Sequence, residues 1–569
     1  MSSRISGRIY QKIKSICPAL HFLLTFLFER RVFYFDHNFD FLDTMALSSL
    51  FSDKFELIMA YIITKLISLI LIILLWKLFF AIIDRTVPLK TTIIFSSVFI
   101  VGLVIILILW PNFTLYNIDN YMLYAYAVRF VPEYWHSIYS GCFMGACLMV
   151  FPHPFTINVI EWLWFVSIMG YIYHRIGGSS VLPHKLKHIV IVFFILPFIH
   201  IAVTDPYRSE LYAMFSFFFF ALIIFDAIEG IKRTGFQLFV IIVGLAMIAV
   251  WRSEGIILGV GLFLCMYLTI YKTSFIKTII PASGMVLAIL LLSFPSFVGT
   301  QKYYGDDYSF INYMDVLQTI LNSKEANLQY DGADDDLDAI NAIVDLEVLK
   351  EHGVDGYRRF NSANGRLDIN QSLATKDVRE AANKAYKNIV IHNAKLYYKH
   401  HVNYFCKALS FEPPYSLDEY SGAGSGYAYW SFNLWNVGLS DYYSFKTVYD
   451  WEENLSRYDK ACKINEWFEY YSDWWEKNGI IQTFNVLIIA INIVIALYEF
   501  IKCILRKRIS AFFILSVTLF AQIAAIAAVM PAASYFYLRT YYYCALLMAM
   551  VYIPASKAIK RSEQERSTT

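Results

Sequence analysis

The stretch 236–271, FQLFVIIVGLAMIAVWRSEGIILGVGLFLCMYLTIY, decides the fold class. Two uncharged apolar runs, 236–250 and 255–271, are separated only by Trp251-Arg252-Ser253-Glu254. Runs near that length read as membrane-spanning helices, which need roughly 20 mostly apolar residues. The four polar residues between them form a tight hairpin at one surface. Further apolar runs at 60–83, 92–110, 157–173, 186–203, 211–227, 279–297, 480–502, 509–529 and 539–554 bring the spans to about eleven. Two shorter segments, 17–29 and 138–152, raise the upper bound to about 13. No small-residue cleavage site follows the first apolar run, so no cleavable signal peptide is expected.

Composition agrees. Of 569 residues, 58% are hydrophobic, 18% aromatic and only 17% charged, with a mean hydropathy of +0.48. Soluble proteins sit near 45–50% apolar and about 25% charged, so an ordinary cytosolic enzyme, a disordered chain and a disulfide scaffold are all excluded. The net charge of +2 offers no global basic field for nucleic acid. Eight cysteines show no CxxC or Cys/His spacing, which argues against structural zinc and leaves only a Cys406–Cys462 disulfide open in the long polar stretch.

Orientation follows from the basic connecting segments. Those carrying Arg175, Lys185 and Lys187; Lys232 and Arg233; Lys272 and Lys277; Lys502, Arg506, Lys507 and Arg508; and Lys557, Lys560 and Arg561 face the cytoplasm by the positive-inside rule. The alternate segments, 111–137, 204–210, 251–254, 298–479 and 530–538, then face outward. Residues 298–479 hold 28 Asp+Glu against 18 Lys+Arg, a net of −10, and are long enough to fold as a domain. Within them 331–351 and 376–409 carry apolar residues at helical spacing, whereas 411–446 is rich in Pro, Gly, Ser and aromatics, which is loop chemistry. The aromatic cluster in 464–478 suits a membrane-interface belt. The expected fold is therefore an all-α polytopic membrane protein of about 11–13 transmembrane helices with a mainly helical extracytoplasmic domain. Its parts are an N-terminal segment 1–56, a membrane core 57–297, the outer domain 298–479, C-terminal membrane helices 480–556 and a cytoplasmic tail 557–569.

Ionisable groups at bilayer depth are costly and mark pathways or sites. Four outward clusters stand out, and Arg-plus-acid clusters recur only in loops assigned to that side. In the first, Asp119 lies among Asn117 and Asn120, followed by Glu133, Trp135 and His136. Asp119 is placed to act as a base, to bind a metal, or simply to cap the helix that begins at Tyr121. The second, Thr204 to Glu210, offers Asp205-Pro206 as a helix start and Arg208 with Glu210 as an ion pair or a substrate contact. In the third, Arg252 and Glu254 either pair with each other or point into a shared cavity, and the cost of charge at that depth favours the cavity. In the fourth, Arg539 either snorkels to lipid headgroups or holds a phosphate. His153 and the pair His400-His401 lack partners at ligand spacing and read as structural. Walker A, GxGxxG, HExxH and GxSxG patterns are absent, so nucleotide-driven pumping and zinc or serine hydrolysis have no support.

The order of these pieces resembles the GT-C superfamily of membrane glycosyltransferases, and is most similar to the bacterial enzymes that use polyprenyl-phosphate-linked sugars. The pieces are Trp110-Pro111, then Asp119, Trp135-His136, Pro152, a short loop with Asp205, the Arg252-x-Glu254-Gly255 turn, and a late outward Arg539. The likeness covers most of 92–300 and weakly the rest. Two departures are Ser137 after His136, where the family commonly has Pro, and Asn117-Ile118-Asp119 in place of Asp-x-Asp, which leaves a divalent cation open and no cofactor fixed. The resemblance implies transfer of a sugar from a polyprenyl-phosphate donor to a cell-envelope glycan or lipid acceptor on the outer face of the plasma membrane, with inversion. Asp119 would be the catalytic base; His136, Asp205, Arg208, Glu210, Arg252, Glu254 and Arg539 would bind the substrates; no metal ligand is assigned. A lipid-linked glycan polymerase or ligase, or a polytopic transporter or flippase, is the rival reading. The implied partners are the donor, the acceptor and the bilayer, and not nucleic acid.

Overall fold

The computed structural model describes residues 12, 14–25, 54–83, 89–109, 137–150, 155–195, 208–272, 275–303, 308–351, 376–409, 480–529 and 538–568. Among these residues every regular element is helical and none is a strand. Of the eleven apolar runs, the described residues lie on helices except Ile509 and Ser510, which precede the helix of the run 509–529. Among the described residues, four helical segments are long and apolar enough to cross a membrane by themselves: Glu210–Glu229, Thr278–Val298, Thr483–Arg506 and Ala511–Ala528. Gly235–Trp251 and Gly255–Tyr271 are apolar but shorter.

The described residues divide into two compact units. One takes those up to Ile289, those between 480 and Phe520, and those from Arg539 on; the other takes those from Leu290 to 409 and from Ala521 to Leu538. In chain order, the first unit contains α1 (Lys54–Ile83), α2 (Leu89–Leu109), α3 (Ile138–Val150), α4 (Phe155–Gly177), the short α5 (Val190–Ile195), α6 (Arg208–Glu229), α7 (Gly235–Trp251) and α8 (Gly255–Cys265). A π-helical segment, Met266–Tyr271, continues α8, and α9 (Phe275–Tyr303) follows.

At the centre of this unit is α6. Its middle, 217–225, is an unbroken run of Phe, Ala, Leu and Ile, and 78% of its membrane-length window is buried, against 11% for the window in α9. A helix that is apolar all round belongs either inside a bundle or in lipid. By that measure α6 is the packed helix, whereas α9 leaves Ile280, Val286 and Leu287 exposed in this unit. Gly230 ends α6 at φ 69°, and the Ile231 N–H reaches back to the Asp226 carbonyl at 2.9 Å, the bond of a glycine-terminated helix.

Helices α7 and α8 pack at close range because of two glycines one turn apart. A Cβ on Gly255 would stand 2.0 Å from the Ile248 carbonyl oxygen, and one on Gly259 would stand 2.5 Å from that of Leu245. Small residues four apart permit such backbone approach between apolar helices.

The second unit is built on α10 (Tyr308–Leu321), α11 (Ala333–Asn341), α12 (Lys376–His392) and α13 (Ala394–Leu409), with 346–351 also helical. Met314, Leu317, Ile320, Ile340, Val344 and Ile389 form the middle of its core, and each such side chain contributes about 1.5–3 kcal/mol on burial. Tyr313 stacks on Tyr386 with ring centroids 3.8 Å apart. Asn393, at the break between α12 and α13, clamps the 322–330 connection: the Asn327 N–H donates to its Oδ1 at 2.7 Å and its Nδ2 donates to the Asn327 carbonyl at 3.0 Å. The expected helical character of 331–351 and 376–409 thus has a physical source in one shared core. Toward the C-terminus follow α14 (Ile480–Arg506), α15 (Ala511–Val529) and α16 (Arg539–Thr568), and residues 14–25 are also helical.

Candidate functional site

Glu210 lies in the first turn of α6, where a carboxylate also meets the positive end of the helix dipole. It is fully buried. Arg539 opens α16, and Tyr543 follows four residues later on the same helical face. Both converge on Glu210: Arg539 Nη1 donates to Oε2 at 2.6 Å and the Tyr543 hydroxyl donates to Oε1 at 2.5 Å. Arg539 is 1% exposed, so the guanidinium does not snorkel outward. The sequence offers Arg208 as a neighbour of Glu210, and the structure adds a partner 329 positions away. Buried charges of this kind are tolerated only when paired and hydrogen-bonded.

The hairpin between α7 and α8 makes a second pair. Arg252 Nε donates to Glu254 Oε1 at 2.5 Å, and the Ser253 hydroxyl donates to Oε2 at 3.2 Å. Sequence reasoning favoured a shared cavity over this pairing. The pairing forms because the tight turn sets the two side chains side by side, with 14% and 9% exposure leaving little water to solvate either charge. The Arg252 guanidinium also lies over the Tyr212 ring, 5.8 Å from its centroid. Tyr212 follows Glu210 by two residues and packs edge-on to Trp251, whose indole N–H donates to Ser140 Oγ at 2.9 Å. Tyr212 therefore puts the Arg252–Glu254 pair at the same end of α6 as Glu210. That end presents guanidinium, carboxylate and aromatic groups at the edge of an apolar helix group, and Arg252 is more accessible than Arg539.

Of the residues singled out from sequence, Glu210 is brought to Arg539 and Arg252 to Glu254, as two pairs at the same end of α6. Arg208 is the first residue of α6, its side chain outside the described set. Asp119, His136 and Asp205 lie outside the described residues, as do His153 and Cys462. Among the described residues no group of three or more His, Cys, Asp or Glu side chains is placed to hold a metal ion. His400 accepts or donates a hydrogen bond with Thr319 at 2.7 Å inside the second unit.

A second polar network was missed. At the other end of α6, buried Asp226 bridges Arg175 at 2.9 Å and Arg233 at 2.8 Å, while Arg175 also holds Glu229 at 2.9 Å and donates to the Tyr171 hydroxyl at 2.6 Å. Tyr271 donates to the Arg233 carbonyl. Clusters of Arg with acid are thus not confined to the loops assigned outward. Arg175 and Arg233 had been read only as positive-inside markers. The available signal was Asp226 and Glu229, three residues apart and so on one face of a helix end, followed at once by basic residues.

Compared with protein-family models, with curated proteins and with solved structures, the chain matches none.

Proposed function

We propose that this chain is a multi-pass plasma-membrane glycosyltransferase that moves one sugar from a polyprenyl-phosphate donor to a cell-envelope glycan or lipid acceptor at the outer face. One observation carries the reading: two ion pairs, Glu210–Arg539 and Arg252–Glu254, drawn from three separate segments, lie at the same end of an apolar helix group, with Tyr212 of α6 under the Arg252 guanidinium. The polar layers at the two ends of α6, marked by Glu210 and Asp226, are 16 residues apart in the chain, about 24 Å at 1.5 Å per residue, close to the thickness of a hydrocarbon core. Four membrane-length apolar helices and the basic inner segments support the same embedding.

In this mechanism the acceptor hydroxyl oxygen bonds to the anomeric carbon while the carbon–oxygen bond to phosphate breaks on the opposite face, so the centre inverts. Asp119 takes the hydroxyl proton. Arg252 stabilises the charge that grows on the departing phosphate, where scarce water makes a fixed cation effective. Glu210 and Arg539, engaged with each other, are positioning residues that hold α6 and α16 in register. His136, Asp205 and Arg208 orient sugar and phosphate. Replacing Asp119 by Asn lowers sugar transfer in membranes by about 10²–10⁴-fold, the usual contribution of a positioned base. Undiminished transfer by a folded variant removes Asp119 from that role.

A second reading, a carrier or flippase of a lipid-linked glycan, is favoured by the ion-pair networks at both ends of α6, which would serve as two gates. Carrier-dependent movement of label without covalent transfer selects it.

A further inference from the structure

At the Asp226 end of the first unit, a cavity of about 560 Å³ opens between α6, α14, α15, α16 and the π-helical segment that follows α8. Its lining includes Lys272, Lys502, Arg506, Lys507 and Arg508 against one carboxylate, Glu499: five cations against one anion, a surplus of four. The carboxylate is fully buried and already engaged. It receives Lys502 Nζ and the Tyr552 hydroxyl, each at 2.8 Å, and the Ser510 hydroxyl. Glu499 and Lys502 therefore brace the wall, and Lys272, Arg506, Lys507 and Arg508 are the exposed cations at the mouth.

Two of those cations stand where a glycine would be expected. Lys507 has φ 49°, and the following Arg508 N–H returns to the Cys503 carbonyl at 3.2 Å, the closing bond of a helix that ends in a left-handed residue. Lys272 ends the π-helical segment at φ 51°. Cations near helix C-termini complement the dipoles, which accounts for their presence at each end. It does not account for two helix ends opening into one cavity, nor for the apolar floor supplied by Ile228, Leu268 and Ile509. Leu268 and Ile509 are themselves 37% and 49% exposed, so the cationic mouth is continuous with an apolar flank.

We propose that this cavity binds the phosphate group of an anionic ligand, either a phospholipid headgroup of the inner leaflet or a free phosphate. Guanidinium groups match phosphate oxygens in pairs, lysines add point charge, and basic pockets between membrane helices on the cytoplasmic side suit anionic headgroups. The lipid source shares the membrane embedding proposed above; neither source depends on the glycosyl-transfer chemistry at the other end.

The test uses the full-length protein in detergent, titrated with short-chain phosphatidylglycerol or phosphatidylcholine and read by native mass spectrometry. The anionic lipid is retained in preference to the zwitterionic one. The double variant Arg506→Gln/Arg508→Gln lowers that retention by about tenfold or more, given roughly one headgroup attraction lost per basic residue. Arg506→Lys/Arg508→Lys keeps most of it, which separates loss of charge from loss of fold. Lys185→Gln/Lys232→Gln, which removes two exposed charges assigned to the same side but outside the cavity, leaves retention unchanged. Millimolar sodium phosphate that displaces the lipid and raises the thermal midpoint of lipid-free protein identifies free phosphate as the source; no displacement identifies the headgroup. Retention by Arg506→Gln/Arg508→Gln equal to that of the unaltered protein, or an equal loss in the Lys185/Lys232 variant, overturns the proposal.

Discussion

Glu210 shows how one buried charge constrains its surroundings. With Arg539 and Tyr543 it forms a closed set in which each carboxylate oxygen has a donor. Removing one partner strands a buried charge, so Glu210→Gln is expected to cost about 3–5 kcal/mol, read as a lowered unfolding midpoint in detergent. The paired replacement Glu210→Leu/Arg539→Met recovers most of that loss, because two apolar side chains replace two desolvated charges. His401 in the second unit behaves differently. Its Nδ1 is buried without a partner, its ring lies edge-on to Tyr397, and burial lowers its pKa below the ordinary imidazole value of about 6.5. The unfolded chain then binds the proton more readily than the folded one. The stability due to neutral His401 is complete above about pH 6.5 and is lost as pH falls toward its folded pKa. A midpoint-versus-pH profile that declines on acidification, and is flatter in His401→Phe, is the expected result.

At the level of elements, the α7–α8 hairpin depends on what its glycines lack. Gly259 faces the Leu245 carbonyl at a distance no Cβ tolerates, and the neighbour is backbone, which cannot rotate away. Gly259→Leu must therefore separate the helices, at a cost of about 1–3 kcal/mol by overpacking, measurable as a lower thermal midpoint. The same displacement would shift Trp251 and the Arg252–Glu254 pair against Tyr212. Helices themselves were legible in the sequence. Apolar runs such as 236–250 and 255–271 leave little alternative, and the helical spacing in 376–409 marked α12 and α13. The break between those two was not legible, because it depends on Asn393 reaching Asn327, 66 positions away.

For the whole molecule, the proposed embedding puts the two ends of the first unit on opposite faces of a bilayer. In a background freed of native cysteines, Ser253→Cys is expected to react with a membrane-impermeant maleimide in intact cells, and Lys185→Cys only after permeabilisation; labelling of both from one side ends the embedding. Sequence by itself determined the helical class and the apolar runs, because these depend on local composition and on spacing of a few residues. It also marked Arg252, Glu254, Glu210 and Arg539 as charges needing partners. Tertiary structure alone decided the partners: Arg539 for Glu210, Glu254 for Arg252, and Asp226 for both Arg175 and Arg233. A buried charge takes whichever opposite charge the packing delivers within about 3 Å, and packing between helices hundreds of positions apart leaves no period in the sequence from which to read it.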